Sequence, residues 1–202
     1  MGASELIDVR PISGADLQTA ALVAARGMRD NPLHVAALGP NPERRVRVMQ
    51  RLFARLLPVD GRPTLGAWDR ARLVGIAGSA EPGRCQPSAR DSVKLAPALI
   101  MAGTSIGRMN RWIWTWSKHD PSRTHSHLGP LAVDLDRQGQ GIGSALLGEY
   151  CKRIDAVGMA SYLETDKVEN VRLYERFGFA VTGEANVIGV SNWFMMREPA
   201  TS

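Results

Sequence analysis

Residues 137–144, Arg-Gln-Gly-Gln-Gly-Ile-Gly-Ser, constrain the fold more than any other stretch. They lie between an apolar run, His127-Leu128-Gly129-Pro130-Leu131-Ala132-Val133, and a helical pattern that begins near Ile142. A strand, a glycine-rich turn and a helix start, in that order, make an anion site. The first N–H groups of a helix have no intrahelical acceptor and point outward, and the helix dipole adds partial positive charge at the same end. Gly139, Gly141 and Gly143 remove the side chains that would hold a phosphate away from the backbone. The stretch reads as a pyrophosphate cradle built from main chain.

The spacing narrows the choice of phosphate. A dinucleotide fingerprint, Gly-x-Gly-x-x-Gly, fails at Ser144 when counted from Gly139 and at Leu146 when counted from Gly141. A nucleoside-triphosphate loop would need Gly-Lys-Ser/Thr, which is absent. The run Gln138-x-x-Gly141-x-Gly143 resembles the coenzyme A signature of the GCN5-related N-acetyltransferases, Gln/Arg-x-x-Gly-x-Gly/Ala. A second match lies downstream. Asn170, then Leu173-Tyr174-Glu175-Arg176-Phe177-Gly178-Phe179, resembles that family's Asn-x-x-x-Leu/Phe-Tyr-x-x-x-Gly-Phe, in the family's order and at about its spacing. The resemblance is strong over residues 125–185 and loose before them.

The resemblance implies an α/β (α+β) fold: a mixed, mainly antiparallel twisted sheet flanked by helices, with a splayed central strand pair. Acetyl-CoA would lie in the gap between the strands near 128–133 and 160–164. Leu131, Ala132 and Val133 would offer backbone to the pantetheine arm. Gln138, Gly139, Gln140, Gly141, Ile142, Gly143 and Ser144 would form the cradle. Asn170 would bond the arm, and Tyr174 would both line the cofactor site and protonate the leaving thiolate. The implied reaction is direct acetyl transfer to a primary amine in a ternary complex, without a metal. For the proton acceptor, Glu164 ends a strand beside the expected site, and His125 and His127 lie on the central strand. An unperturbed histidine pKa suits that role. Of the two, His127 is the one carried forward with Glu164. Many members of the family use a chain of waters instead.

Composition bounds the rest. At 202 residues the chain suits one domain, or one domain with a helical elaboration; the resemblance makes it a single acetyltransferase domain, 1–202, with an acceptor-side half and its helical elaboration at 5–120 and an acetyl-CoA half at 124–197. The net charge of +5 favours anionic partners such as coenzyme A but is too small and dispersed to argue for nucleic acid. The two cysteines, Cys85 and Cys151, have no partner at metal-ligand spacing, so a reducing compartment fits and zinc does not. The first residues, Met1-Gly2-Ala3-Ser4-Glu5-Leu6, do not read as a signal peptide. The run 95–101 is too short to span a bilayer. The expectation is a cytoplasmic protein without membrane contact, monomeric or homodimeric, acting on a small-molecule or peptide amine. Three rivals remain: an acetyl-CoA-binding regulatory module without turnover, a dinucleotide-dependent oxidoreductase, and a nucleic-acid binder using the arginines of 42–57.

Periodicity supplies the remaining elements. A strand is expected over 5–11 and a helix opened by Ser13, with Asn31-Pro32 breaking the pattern. A second helix, 42–57, carries Asn41 as its cap. Val46, Met49, Phe53, Leu56 and Leu57 are on its buried face and Arg44, Arg47, Arg51 and Arg55 on a solvated one; 58–61 ends it. Strands follow at 64–68 and 73–79, joined at Asp69-Arg70, with a loop through Ser88. In 92–118, Leu95, Leu99, Ile100, Ile106, Met109, Trp112, Ile113 and Trp116 favour helix, with Gly103 or Gly107 breaking it, and a strand for 111–116 stays open. Gly129-Pro130 marks a bulge or an edge in the central strand. A helix closed by Gly158, a strand at 161–164, a short helix at 170–177, and a hairpin turning at Glu184-Ala185-Asn186 complete the chain.

Overall fold

The computed structural model describes residues 7–58, 63–85 and 103–200. A seven-stranded sheet runs in the order β1-β2-β3-β4-β5-β7-β6. Its strands are β1 Asp8–Pro11, β2 Thr64–Asp69, β3 Arg72–Ala80, β4 Ser126–Val133, β5 Ser161–Thr165, β6 Ala180–Val187 and β7 Val190–Arg197. Every neighbouring pair is antiparallel except β4 and β5, which run parallel. The helices are α1 Leu17–Gly27, α2 Pro32–Leu38, α3 Pro42–Leu56, α4 Ile106–Ser117, α5 Ile142–Ala156 and α6 Val168–Glu175.

One face of the sheet packs on α5 and α6. Ile142, Leu146, Leu147 and Ile154 of α5 join Val74, Ala77, Leu128 and Leu163 of the sheet in one core cluster. Full burial of such side chains contributes about 1.5–3 kcal/mol each. The other face packs on α1. There Ala20, Ala21 and Ala24, all 0% exposed, let the helix lie close to Ile76 and Ala132. A third cluster, outside the sheet, joins Ala25, Ala37, Val48, Met49 and Met109 from α1 to α4. Asn41 starts α3 by accepting the Arg44 N–H at 2.8 Å, a cap typically worth about 1 kcal/mol.

Several elements differ from the sequence reading. Asn31-Pro32 begins a helix as well as ending one: Pro32 opens α2, and the Val35 N–H donates to Asn31 at 3.0 Å. Trp112–Trp116 is helix, within α4, and Gly107 does not break it. The last hairpin turns at Ile188-Gly189, both at positive φ, whereas Glu184, Ala185 and Asn186 belong to β6. The solvated face of α3 is broken by Arg44, whose guanidinium reaches the Leu38 carbonyl. Its neighbour Arg45, only 4% exposed, donates to the carbonyls of Arg29 and Gly39 and to Asp30. The readings on Glu5 and Leu6, on Val59-Asp60-Gly61, on Ser88 and on Leu95, Leu99 and Ile100 lie outside the described residues.

The bulge expected at Gly129-Pro130 is present. Ala77 faces Leu131 and Ser79 faces Leu128, so two residues of β4 oppose Gly78 alone. Among the described residues no helix is long and apolar enough to cross a membrane.

Candidate functional site

β4 and β5 pair only at Ser126–Ser161 and His127–Tyr162, then diverge. Tyr150 of α5 fixes the point of divergence. Its buried hydroxyl lies 2.9 Å from Ser126 Oγ and 2.7 Å from Ser161 Oγ, one serine on each strand. Past this clamp, 128–133 of β4 keep β3 on one side and have no β5 partner on the other. A ladder that stops in mid-sheet leaves main-chain donors and acceptors unspent, which an extended ligand can use.

The cradle hangs from the end of β4. Asp134, 5% exposed, accepts from Leu135 N at 2.9 Å, Arg26 Nε at 2.8 Å and Arg72 Nη2 at 3.1 Å. Arg137 pairs with Asp69 at 2.6 Å and donates to Gln140 Oε1 at 3.1 Å. The Gln138 amide donates to the carbonyls of Gly27 at 3.1 Å and Val133 at 3.0 Å. These side chains hold the loop in place. Gly141 sits at φ 81 as the residue before α5, a conformation that costs glycine nothing. A Cβ on Gly139 or Gly141 would meet nothing within 4 Å, and one on Gly143 only Val133 Cγ2 at 3.8 Å. The space in front of the loop is therefore open, and the backbone lines it.

On the β5 side, Asn170 is half-buried on α6 and Tyr174 lies one turn on, 6% exposed. Tyr174 packs edge-on to Phe179, and its hydroxyl bonds no group among the described residues. Burial, and then the charge of Asp166, push its phenol well above the usual tyrosine range. Asp166 in turn accepts the Leu33 N–H at 2.6 Å, tying the start of α6 to α2.

His127 and Glu164 meet at 2.7 Å across the β4–β5 junction, on the face away from α5. Burial pulls the imidazole pKa down, while the Glu164 carboxylate and then the Cys85 thiol outweigh it and raise it above the ordinary histidine value. His125 lies beside it, with Cys85 Sγ 3.4 Å from Nε2. Sequence spacing hid this grouping, because Cys85 and His125 are joined only by the fold. Cys151 is buried on α5, and burial raises its thiol to about 11.

The comparisons with known proteins agree with this geometry. The family model for the acetyltransferase (GNAT) domain matches residues 103–181, which hold β4, the cradle, α5, β5 and α6. The matched stretch is a GNAT acetyltransferase domain. A mycothiol acetyltransferase of Acidimicrobium ferrooxidans is 35% identical over 94 residues, 44% of this chain and 30% of the relative. This chain therefore matches under a third of that protein's length. A solved structure from Corynebacterium glutamicum, described as histone acetyltransferase HPA2 and related acetyltransferase, superposes with a TM-score of 0.70 at 20% identity, covering 97% of this chain and 98% of that one. A Drosophila melanogaster polyamine N-acetyltransferase gives 0.64 at 15% identity, covering 96% and 100%. At such identities the two structures speak to the fold alone, a GNAT sheet with helices on both faces.

One glycine of this GNAT fold sits where a side chain cannot. A Cβ on Gly27 would stand 2.4 Å from the Val133 carbonyl oxygen, the same oxygen that receives Gln138. Gly27→Ala must push α1 off β4, and overpacking of this kind costs about 1–3 kcal/mol. A drop in denaturation midpoint is the expected result, and a variant melting with the wild type would show the contact to be soft.

Proposed function

We propose that this chain is a single-domain acetyltransferase, acceptor-side half at 5–120 and acetyl-CoA half at 124–197, that moves an acetyl group from acetyl-CoA to a primary amine within a ternary complex. The observation that carries the reading is the divergence of β4 from β5 directly beside an open, backbone-lined helix start. An extended pantetheine arm needs the first and a pyrophosphate needs the second. Acetyl-CoA, when bound, supplies an activated acetyl thioester.

The residues of the chain divide the remaining work. Backbone N–H groups of 138–144 hold phosphate oxygens. The free edge of β4 at Leu131, Ala132 and Val133 orients the arm and offers a main-chain donor to a carbonyl oxygen. Asn170 secures the arm from the β5 side. Tyr174 Oη delivers a proton where thiolate charge develops. Glu164, on the acceptor side of the junction, takes the proton the amine sheds as it attacks, directly or through a water, with His127 paired to the carboxylate at 2.7 Å. The acceptor is an amine of a small molecule or peptide. The relatives' names, a mycothiol acetyltransferase and a polyamine N-acetyltransferase, are compatible with that range without choosing within it.

A panel of amines with acetyl-CoA, read as free thiol released, tests the reading. Turnover with an amine supports it. Coenzyme A binding without thiol release from any amine would make the chain a binding module. The cradle is tested by Gly143→Val. Gly143 is helical and its side-chain direction is open, so the variant folds while filling the space before the N–H groups. Coenzyme A affinity is expected to fall at least about tenfold, or about 1.4 kcal/mol. Unchanged calorimetric affinity in a folded variant would place the pyrophosphate elsewhere.

A further inference from the structure

Four side chains from separate parts of the chain converge on the acceptor-side face of β4. Cys85 follows β3, Asp120 follows α4, and His125 and His127 stand at the start of β4. One ligand atom from each lies within 4.8 Å of all the others. Cys85 Sγ and Asp120 Oδ1 are 3.4 Å and 3.2 Å from the same nitrogen, His125 Nε2. Tetrahedral zinc with sulfur at about 2.3 Å and nitrogen or oxygen at about 2.0–2.2 Å has ligand atoms separated by roughly 3.3–3.8 Å. The 3.4 Å and 3.2 Å separations fall close to that edge length.

The outer ring atoms are committed in the way metal-bound histidines require. His125 Nδ1 is 2.7 Å from the Arg123 carbonyl, and His127 Nε2 is 2.7 Å from Glu164 Oε2. The Arg123 carbonyl and the ionised Glu164 carboxylate only accept, so each ring donates outward and turns its other nitrogen inward. Histidines that ligate metals almost always donate their second nitrogen to a carbonyl or carboxylate. Two inward atoms also lack a hydrogen-bond partner among the described residues although both are buried: His127 Nδ1 and Asp120 Oδ1. Burying a polar atom without a partner is costly, and a shared cation satisfies both.

We propose that Cys85, Asp120, His125 and His127 bind a divalent cation of the zinc class. Thiolate with two imidazoles and a carboxylate selects Zn2+ over Mg2+ or Ca2+, which prefer oxygen-only sets. Four protein ligands close the coordination sphere, so the ion is structural and activates no water. It staples residue 85 and the turn after α4 to β4, and through His127 it fixes Glu164 beside the strand divergence. The site stands or falls independently of the transfer chemistry, because its readout is metal content.

The full-length chain, stripped with a chelator and dialysed, is titrated with Co2+ and separately loaded with Zn2+ for elemental analysis. The expected results are about one equivalent of zinc per chain and, with Co2+, a thiolate charge-transfer band with the intense visible bands of tetrahedral coordination. Cys85→Ser abolishes the charge-transfer band, and Cys151→Ser leaves it intact. Asp120→Asn keeps the band but weakens the metal by tenfold or more. A folded wild-type chain that takes up no Zn2+ or Co2+ overturns the proposal, as does a band that survives Cys85→Ser and disappears with Cys151→Ser. Should Cys85→Ser fail to fold, the wild-type stoichiometry and the Asp120→Asn titration still decide.

Discussion

Tyr174→Phe is expected to lower turnover by about 10²–10⁴, the range usual for one acid–base group. The proposed role needs a group that keeps its proton at neutral pH and gives it up only when charge builds beside it. Burial and the nearby Asp166 charge raise the phenol above its ordinary value, so it stays protonated throughout the working range. Its hydroxyl bonds nothing among the described residues, while its ring packs on Phe179 with centroids 5.9 Å apart. Phenylalanine keeps the ring and removes only the unspent hydroxyl. Stability should therefore hold, and coenzyme A affinity should change little because the cradle and Asn170 are untouched. Turnover and affinity measured on one preparation separate the possibilities. Near-normal turnover at all pH values would remove Tyr174 from the mechanism. Affinity falling in step with turnover would make it a binding residue.

The part of the fold that was legible in the sequence is the part whose signals are local. The cradle is a strand, a turn and a helix start in consecutive residues, and Gly141 occupies the backbone conformation that its turn demands. The bulge at Gly129-Pro130 was legible because proline cannot donate to a ladder. What escaped depended on long-range placement or on a residue that serves two purposes. Asn31-Pro32 reads as a break, and the same pair, a non-helical residue followed by proline, is also how α2 starts. Ile188 is β-branched and sits at φ 48, so nothing in its type announces a turn; the cue was Asn186, whose Oδ1 accepts the Gly189 N–H at 2.9 Å. Arg45 carries no local signal of burial in the sequence, yet three acceptors outside its helix draw it into the interior.

The candidate site divides along the same line. The backbone portion followed from glycine spacing. The side-chain cluster did not, because Cys85 and Asp120 reach the histidines only through the β3–β4 pairing and the packing of α4. The one sequence cue was His125-Ser126-His127, two residues that alternation puts on a single face of β4. It located half of the cluster and gave no hint of the thiol or the carboxylate.

The stability of the wild-type chain is expected to fall as pH drops from 6.5 toward 3, and His34 is the group responsible for much of the upper part of that fall. His34, on α2, is 6% exposed and packs edge-on to Trp112 with ring centroids 5.0 Å apart. Its Nδ1 has no hydrogen-bond partner among the described residues. Burial first, then the charges of Lys167 and Arg45, lower its pKa to about 3. The sign follows from proton counting. Below about 6.5 the unfolded chain binds a proton at this position and the folded chain does not, so acid favours unfolding. The contribution is fully present above pH 6.5, shrinks as pH falls through the window, and levels off near the folded value. Each unit of the window is worth about 1.4 kcal/mol, so the total is on the order of a few kcal/mol. Carboxylates such as Asp155, held low by Arg197, lose their contribution only further down, below about pH 4. The interval from 6.5 to 5 therefore isolates the histidine on the acid side. His34→Phe keeps an aromatic ring against Trp112 and removes the titration. Denaturant midpoints for the two proteins should agree at pH 7.5 and diverge by pH 5, with the variant the more stable. Parallel pH profiles would mean that His34 gains its proton in the folded chain at an ordinary pKa.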